Sequence, residues 1–252
     1  MLCQERTILY LSWGFIIGGF FYLLRQMTTH TPYGRYVEPH SSGVMVPAKA
    51  AWLIQELPSF LVPTLLLLTT ESSSGLGRGL LLSTFILHYF QRTFIYALLT
   101  KGRPSPLHIV VSAVVFCSIN GFLQGHNMLH CVQYEADWLT DIRFIAGLLL
   151  FFSGMAINIH SDHILRNLRK PGEVVYKIPK GGMFELVSGA NFFGEILEWC
   201  GYAMASWSLP AFTFAFFTMC SIGPRAYHHH RYYLEKFEDY PKSRKAVIPF
   251  IL

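Results

Sequence analysis

Charge is scarce in this 252-residue chain. Asp, Glu, Lys and Arg together make up 14% of it, against about 25% in soluble domains. Residues 7–24, 57–70, 104–134, 144–161 and 199–224 contain none of the four. That scarcity excludes a disordered chain and an ordinary soluble enzyme. No basic run is interleaved with aromatics, which argues against a nucleic-acid face. No GxGxxG opens a helix after a strand, and Gly75–Gly79, with the wrong spacing, is read as a turn. Cysteine is sparse. Cys3, Cys117, Cys131, Cys200 and Cys220 have no CxxC spacing and fall mostly in apolar runs. They are read as small buried hydrophobes, with neither a zinc site nor a disulfide framework expected. No small-x-small cleavage site follows the first apolar run, so it is expected to be an uncleaved span rather than a signal peptide.

What remains is apolar and aromatic: 52% hydrophobic residues, 21 Phe and 13 Tyr. A spanning helix needs about 20 mainly apolar residues. The uncharged runs and their turn signals (Ser72–Gly75, Gly102–Pro104, Lys170–Gly172, Gly181–Gly182) predict an all-α, polytopic membrane protein. Seven transmembrane helices are expected, over 7–24, 50–70, 79–99, 107–130, 143–160, 184–207 and 210–226. No linker divides them, so residues 1–252 are read as a single membrane domain. Gly14 with Gly18, and Gly121 with Gly125, have the spacing of close helix packing. Sixteen of the 20 Lys and Arg fall on one side of these spans and three on the other, with Arg92 inside a span. The positive-inside rule then places the N-terminus in the lumen and the C-terminus in the cytosol.

Polar residues inside the spans are costly, about 2.5–3.5 kcal/mol for each charge on insertion scales, and so point to function. Trp52, Gln55, Glu56 and Ser59 mark the second span. Tyr89, Arg92 and Tyr96 share a face of the third, and Asn191, Glu195 and Glu198 a face of the sixth. Asn158, His160 and Asp162 close the fifth. At a rise of about 1.5 Å per residue, Glu56, Arg92 and Asn191 come to similar depths in the cytosolic half. The pattern predicts a cavity open to the cytosol, with an anion held at its mouth and something apolar within. Arg35, Arg103, Arg166, Arg169, Lys170, Lys177 and Arg225 lie on the same side and suit phosphate oxygens. Eleven histidines invite a metal reading, but HNMLH (His126–His130) falls on the opposite side from HSDH (His160–His163) and from His228–His230. No metal site is expected.

Several stretches resemble the steroid 5-alpha-reductase (3-oxo-5-alpha-steroid 4-dehydrogenase) family. They are Ala51-Trp-Leu-Ile-Gln-Glu-Leu-Pro58, His88-Tyr-Phe-Gln-Arg92, Asn158-Ile-His-Ser-Asp162, Leu165-Arg-Asn-Leu-Arg-Lys-Pro-Gly172, Tyr176-Lys-Ile-Pro-Lys-Gly-Gly182, Ala190-Asn-Phe-Phe-Gly-Glu195, and the tail from His228 to Lys245. The likeness runs from about Tyr33 to the C-terminus. Val187–Asn191 and the triple histidine are more similar to the type 2 branch than to type 1. The resemblance implies a multi-pass enzyme of the endoplasmic reticulum membrane that reduces the 4,5 double bond of 3-oxo-4-ene steroids with NADPH. Carried over residue by residue, it implies that Glu56 and Tyr89 hold the steroid ketone and that Trp52 lines the steroid pocket. It further implies that Arg35, Arg92, Tyr96, Arg103, Asn158, Asp162, Arg169, Lys177, Asn191, Glu195, His229 and Tyr233 line the NADPH site. Lys177 stands where relatives carry arginine, and Ser112 where one branch has arginine near the steroid.

The residues alone agree with that chemistry. An enone accepts hydride poorly unless a donor faces the carbonyl oxygen where charge develops. A carboxyl in an apolar helix is less costly neutral than ionised, so Glu56 is expected to be a protonated donor, with the Tyr89 phenol beside it. The proton that later reaches the alpha carbon comes from Tyr89 or from water, and the residues do not choose between them. Two other classes compete. A membrane methyltransferase of the isoprenylcysteine type has a loosely similar C-terminal segment but no need for the cations around Arg169 and Lys177. A seven-helix receptor would match in count, but the Leu99-Thr100-Lys101 end of the third span lacks an acidic-Arg-aromatic switch.

Overall fold

The computed structural model describes residues 2–32, 34–37, 43–70, 75–135, 137–168 and 175–252. Long helices form at each of the seven expected places. They are α1 (Glu5–Thr28), α2 (Ala48–Thr69), α3 (Leu76–Phe90), α4 (Leu107–His126), α5 (Ile142–Asn167), α6 (Ala190–Ser206) and α7 (Leu209–Lys236). α3 runs on through a π-helical stretch, Gln91–Tyr96, into a last turn, Ala97–Leu99, and α4 ends in another, Asn127–Cys131. Among the described residues one small sheet pairs β1 (Met45–Val46) antiparallel with β2 (Ser105–Pro106), Met45 opposite Pro106, and so ties the loop before α2 to the start of α4.

Four of the helices are long and apolar enough to cross a membrane: Glu5–Thr28, Ala48–Thr69, Leu107–Cys131 and Ile142–Asn167. The chain is therefore a multi-pass membrane protein. α3 and α6, at 15 and 17 residues, are shorter, and α7 is long but less apolar because it carries Arg225 and the His228–Arg231 run. Several bounds differ from the sequence expectation. α6 starts at Ala190 rather than 184, because Gly182–Glu185 forms a separate 3-10 turn entered through Gly181 (φ 91°) and Gly182 (φ 54°). α5 and α7 run on to Asn167 and Lys236, past the apolar stretch, since polar helix can continue once it leaves the lipid. The Gly75–Gly79 segment is no turn: Gly75 precedes α3 and the rest is its first turn. Ser72 to Ser74 and Lys170 to Gly172 lie outside the described residues.

Glycine decides the tightest contacts. Along α5 and α6, a Cβ on Gly147, Gly154, Gly194 or Gly201 would press into the backbone of the facing helix, as at Gly201, 2.5 Å from the Phe151 nitrogen. α2 and α4 meet where α2 carries Pro58 and Pro63 inside the helix. Pro removes a backbone donor within a helix, and here the two prolines lie against Gly121 and Gly125, where an added Cβ would come within 3.0 Å of Pro58 O and of Pro63 Cα respectively. The second glycine pair thus packs as its spacing predicts. Gly14 and Gly18 do not, since a Cβ on either would meet nothing within 4 Å. Gly19 is the residue that packs, against Phe217 of α7.

The cysteine expectation is also corrected. Cys3 and Cys131 form a disulfide across 128 residues of sequence. No local spacing could signal this, because the pairing follows from the N-terminal end of α1 lying beside the C-terminal end of α4. Cys117 and Cys220 are buried free thiols, as expected, and Cys200 is half-buried.

The C-terminal tail docks back on the loop before α6. Ser188 N donates to Lys245 O at 2.8 Å and Lys245 N to Leu186 O at 2.9 Å. Arg244 donates to the Pro179 carbonyl at 2.8 Å and meets Glu185 at 3.2 Å. The Gly181 backbone N–H, with Arg244 nearby, holds the Glu185 carboxyl below the usual carboxylate range. Ser188 Oγ lies 2.7 Å from His230 Nδ1 and 2.6 Å from the Tyr240 hydroxyl. Burial, then Lys245 and Arg231, lowers the His230 pKa, so this histidine is neutral at physiological pH.

Candidate functional site

The polar stripes converge. Trp52, Gln55 and Glu56 of α2, Tyr89, Arg92 and Tyr96 of α3, Asp162 of α5, Asn191 and Glu195 of α6 and His229 of α7 line one cavity of about 620 Å³. That is the size of a site for a ligand of a few hundred daltons, about 300–1,000 Å³. Its walls also include Phe116, Phe214 and Phe217 at the apolar end, and Arg25, His30 and Arg225 at the polar end.

Arg92 is the electrostatic centre. Its Nη1 donates to Asp162 Oδ2 at 3.0 Å, with both side chains under a tenth exposed. Its guanidinium lies 4.1 Å from the Tyr96 ring centroid and 4.9 Å from that of Trp52. The π-helical stretch Gln91–Tyr96 carries both Arg92 and Tyr96, and such wide turns gather at functional sites. The structure therefore engages the Arg92 charge with Asp162.

Tyr89 lies deeper. It is 4% exposed, and its hydroxyl oxygen accepts from Asn120 Nδ2 at 3.3 Å. Behind it, a 2.7 Å hydrogen bond joins His88 Nδ1 to Glu198 Oε1, buried against Trp199. This pair ties α3 to α6 and accounts for Glu198, which lies behind the cavity wall. Glu56 and Glu195 both face the cavity.

At the mouth, α1 and α7 are laced together. Gln26 Nε2 donates to the Ser221 carbonyl at 2.8 Å, and Thr31 Oγ1 donates to Gln26 Oε1 at 2.9 Å. Arg225 donates to the Tyr22 hydroxyl at 3.2 Å. His30 stacks on Tyr36 with ring centroids 4.3 Å apart. Burial and then His228 lower its pKa, so it is a neutral ring at physiological pH rather than an anion-binding charge. His229 stacks on Phe192.

Four expected cofactor residues do not line this cavity. Arg103 is exposed and Lys177 half-buried on loops outside it. Asn158 is buried and donates to the Asn191 carbonyl at 3.0 Å, so it supports the first turn of α6 rather than facing the space. Tyr233 is buried and stacks on Tyr240 with centroids 5.3 Å apart, in the docked tail. Loop cations and packed aromatics look the same in sequence whether or not they face a cavity. Arg169 lies outside the described residues, as does the side chain of Arg35. Sequence reasoning missed Gln26 and the α4 pair Asn120 and Gln124. The signal for the pair was present: two amides at i, i+4 inside an uncharged 31-residue run share a helix face.

Comparison with known proteins follows the same direction. A family model described as 3-oxo-5-alpha-steroid 4-dehydrogenase matches residues 103–252. The chain is 58% identical over 221 residues to 3-oxo-5-alpha-steroid 4-dehydrogenase 2 of Sus scrofa and 57% identical over 221 residues to the Homo sapiens protein of that name, covering 87% of each chain. It is 49% identical over 254 residues to 3-oxo-5-alpha-steroid 4-dehydrogenase 1 of Homo sapiens, covering 99% of this chain and 97% of the relative.

Proposed function

The chain belongs to the 3-oxo-5-alpha-steroid 4-dehydrogenase family, and we propose that it reduces the 4,5 double bond of 3-oxo-4-ene steroids with NADPH, at a cavity open to the cytosolic face of the endoplasmic reticulum membrane. Membership itself makes it an enzyme, an oxidoreductase of steroids that carries out 5-alpha reduction. The observation that carries the mechanism is the meeting of Glu56, Tyr89 and Trp52 with Arg92, Asn191 and Glu195 on one cavity that is aromatic at one end and cationic at the other.

Glu56 and Tyr89 donate hydrogen bonds to the 3-keto oxygen. As the double bond is reduced, negative charge moves onto that oxygen, and donors already aimed at it need no reorganisation. Trp52 and the phenylalanines of α4 and α7 exclude water and hold the steroid rings. The donor set at the polar end suits a dinucleotide phosphate. Arg225 and Arg25 offer guanidinium groups for phosphate oxygens, and Asn191 and Glu195, one helical turn apart, offer an amide and a carboxylate for a carboxamide. Arg92 is spent on Asp162 and stiffens the wall. Arg35, Arg103, Arg169 and Lys177 supply loop cations for the phosphates, while Tyr96 and His229 supply ring faces and Asn158 and Tyr233 hold the frame. NADPH, when bound, supplies hydride for carbon 5. Tyr89 or a water then protonates carbon 4.

Membranes containing the chain, given NADPH and testosterone, are expected to yield the 5-alpha product, and absence of that product refutes the reading. Arg169→Ala is expected to raise the KM for NADPH at least tenfold while leaving that for NADH within about twofold, since a charge-assisted hydrogen bond to the extra phosphate contributes about 1.5–3 kcal/mol. Equal losses would remove Arg169 from that phosphate.

We infer seven spans with the N-terminus lumenal. Two independent features support this orientation: the cation asymmetry and the Cys3–Cys131 disulfide. Disulfides persist in oxidising compartments, and this one joins the two ends that the charge rule puts in the lumen. In sealed microsomes, protease is expected to remove a tag placed after Leu252 and to spare one placed before Met1. The reverse pattern overturns the topology and the cytosolic mouth with it.

A further inference from the structure

The direction in which the Tyr89 hydroxyl points is decided on α4. Asn120 and Gln124 sit one turn apart there, both fully buried. Gln124 Nε2 donates to the Pro210 carbonyl at 3.0 Å and to Asn120 Oδ1 at 3.2 Å. Asn120 Nδ2 lies 3.3 Å from the Tyr89 hydroxyl oxygen.

The two ends of a side-chain amide have the same shape, so the network must say which is which. The Pro210 carbonyl can only accept. Gln124 must therefore turn its nitrogen toward it, and the second hydrogen of that nitrogen meets Asn120 Oδ1. Asn120 is left with its NH2 toward the phenol. The Tyr89 oxygen becomes the acceptor at the end of this chain, and its proton has to go elsewhere. Ser59 of α2 also lies beside the phenol. Its own proton goes to the Cys117 carbonyl at 2.9 Å, so it gives the phenol no second donor and can only accept the Tyr89 proton until a ketone enters and takes it over. Gln124 Oε1, meanwhile, is buried without a partner. An unmet buried carbonyl is costly, and a leucine here would avoid that cost if packing were all the position required.

We propose that Asn120 and Gln124 are positioning residues for the reduction. They form a one-way donor chain, anchored on the Pro210 carbonyl, that makes Tyr89 a hydrogen-bond donor toward the substrate ketone. The inference rests on the reading of Tyr89 as that donor. The titratable groups facing the phenol are Glu56 from α2, His88 from its own helix, Cys117 from α4 and Glu195 from α6. All of them stay in place in the variants below.

Asn120→Asp has nearly the same shape as the original. Neutral, its hydroxyl still donates to the phenol; ionised, it can only accept, and it draws the Tyr89 proton away from the ketone. Asn120→Leu removes the donor at all pH values. Membranes carrying each variant are assayed with NADPH and testosterone from mildly acidic to alkaline pH, beside the unaltered enzyme and Tyr89→Phe. Asn120→Leu is expected to lower kcat about 10- to 100-fold, the range for misplacing a reacting group, with both KM values nearly unchanged. Asn120→Asp is expected to retain kcat on the acid side, and a fall toward alkaline pH that the unaltered enzyme lacks supports the chain further. The proposal is overturned if Asn120→Leu keeps its kcat, or if Leu and Asp lose it equally at every pH. Should Asn120→Leu fail to accumulate, Asn120→Asp decides alone: acid-side activity with an alkaline loss supports the chain, and a flat profile or no activity overturns it. Tyr89→Phe separates the two levels. If it is inactive while Asn120→Leu is fully active, only this inference falls; if it is fully active, the reading of Tyr89 falls and takes the inference with it.

Discussion

Tyr89→Phe should lower kcat for 5-alpha reduction by about 100- to 1,000-fold, the usual cost of losing one donor to a developing oxyanion, with NADPH affinity nearly unchanged. The phenol is buried between Phe85 and Trp199, so removing its oxygen leaves the packing in place and deletes only the donor. Glu56 gives the companion result. Glu56→Ala should cost as much as Tyr89→Phe, whereas Glu56→Gln keeps an N–H donor of similar reach and should retain clearly more activity. Single-turnover assays at saturating NADPH, with separate titration of cofactor binding, measure both. Glu56→Gln behaving no better than Glu56→Ala would show that the carboxylate orients the Tyr89 hydroxyl instead of donating.

Gly154→Ala is expected to be the most damaging conservative change in the frame. A Cβ there meets the Glu198 backbone nitrogen and lies 2.6 Å from Gly194 O. Neither is a flexible side-chain tip, so α5 and α6 must move apart. Overpacking costs about 1–3 kcal/mol where side chains can give way, and a backbone-to-backbone clash belongs at or above the upper end. For a chain of this size that is a fall in melting midpoint of roughly 6–12 °C, read by thermal unfolding in detergent. The matched control is Gly14→Ala, which meets nothing and should be neutral or slightly stabilising, since alanine is the better helix former. A Gly154→Ala protein as stable as Gly14→Ala would mean that the two helices are not in backbone contact. Separation of α5 and α6 would also move Asp162 and Glu195, so activity is expected to fall with stability.

The parts of the site that could be read from sequence are those where chemistry contradicts its surroundings. Glu56, Arg92, Asn191 and Glu195 interrupt apolar runs, and a polar group in lipid without a role is selected against by its own cost. All four line the cavity. Helix places were legible for the complementary reason, that long uncharged runs leave few alternatives. Residues whose role depends on a distant neighbour could not be read. Cys3 and Cys131 look like any buried thiols until the ends of α1 and α4 are seen side by side. Tyr233 carries a family motif, and its stacking on Tyr240 in the tail could not be read from that motif. Gly14 and Gly18 match a packing spacing on a helix face that has no neighbour within reach. Asn120 and Gln124 share a helix face that the sequence shows, but what the pair does there depends on Tyr89 and Pro210.

The Cys3–Cys131 bond gives α1 a fixed pivot. The helix is stapled to α4 at one tip, while Tyr22, Arg25 and Gln26 border the cavity near the other. From Cys3 to Arg25 is 22 residues, a lever arm of about 33 Å at 1.5 Å per residue. A rocking of α1 by roughly 5° about the staple carries its free end about 3 Å, enough to part Gln26 from the Cys220 and Ser221 carbonyls at 3.2 and 2.8 Å. Leverage of this kind concentrates displacement at the mouth and leaves the far end still. Cutting the staple by reduction would remove that pivot and leave α1 held by its packing and hydrogen bonds on α7.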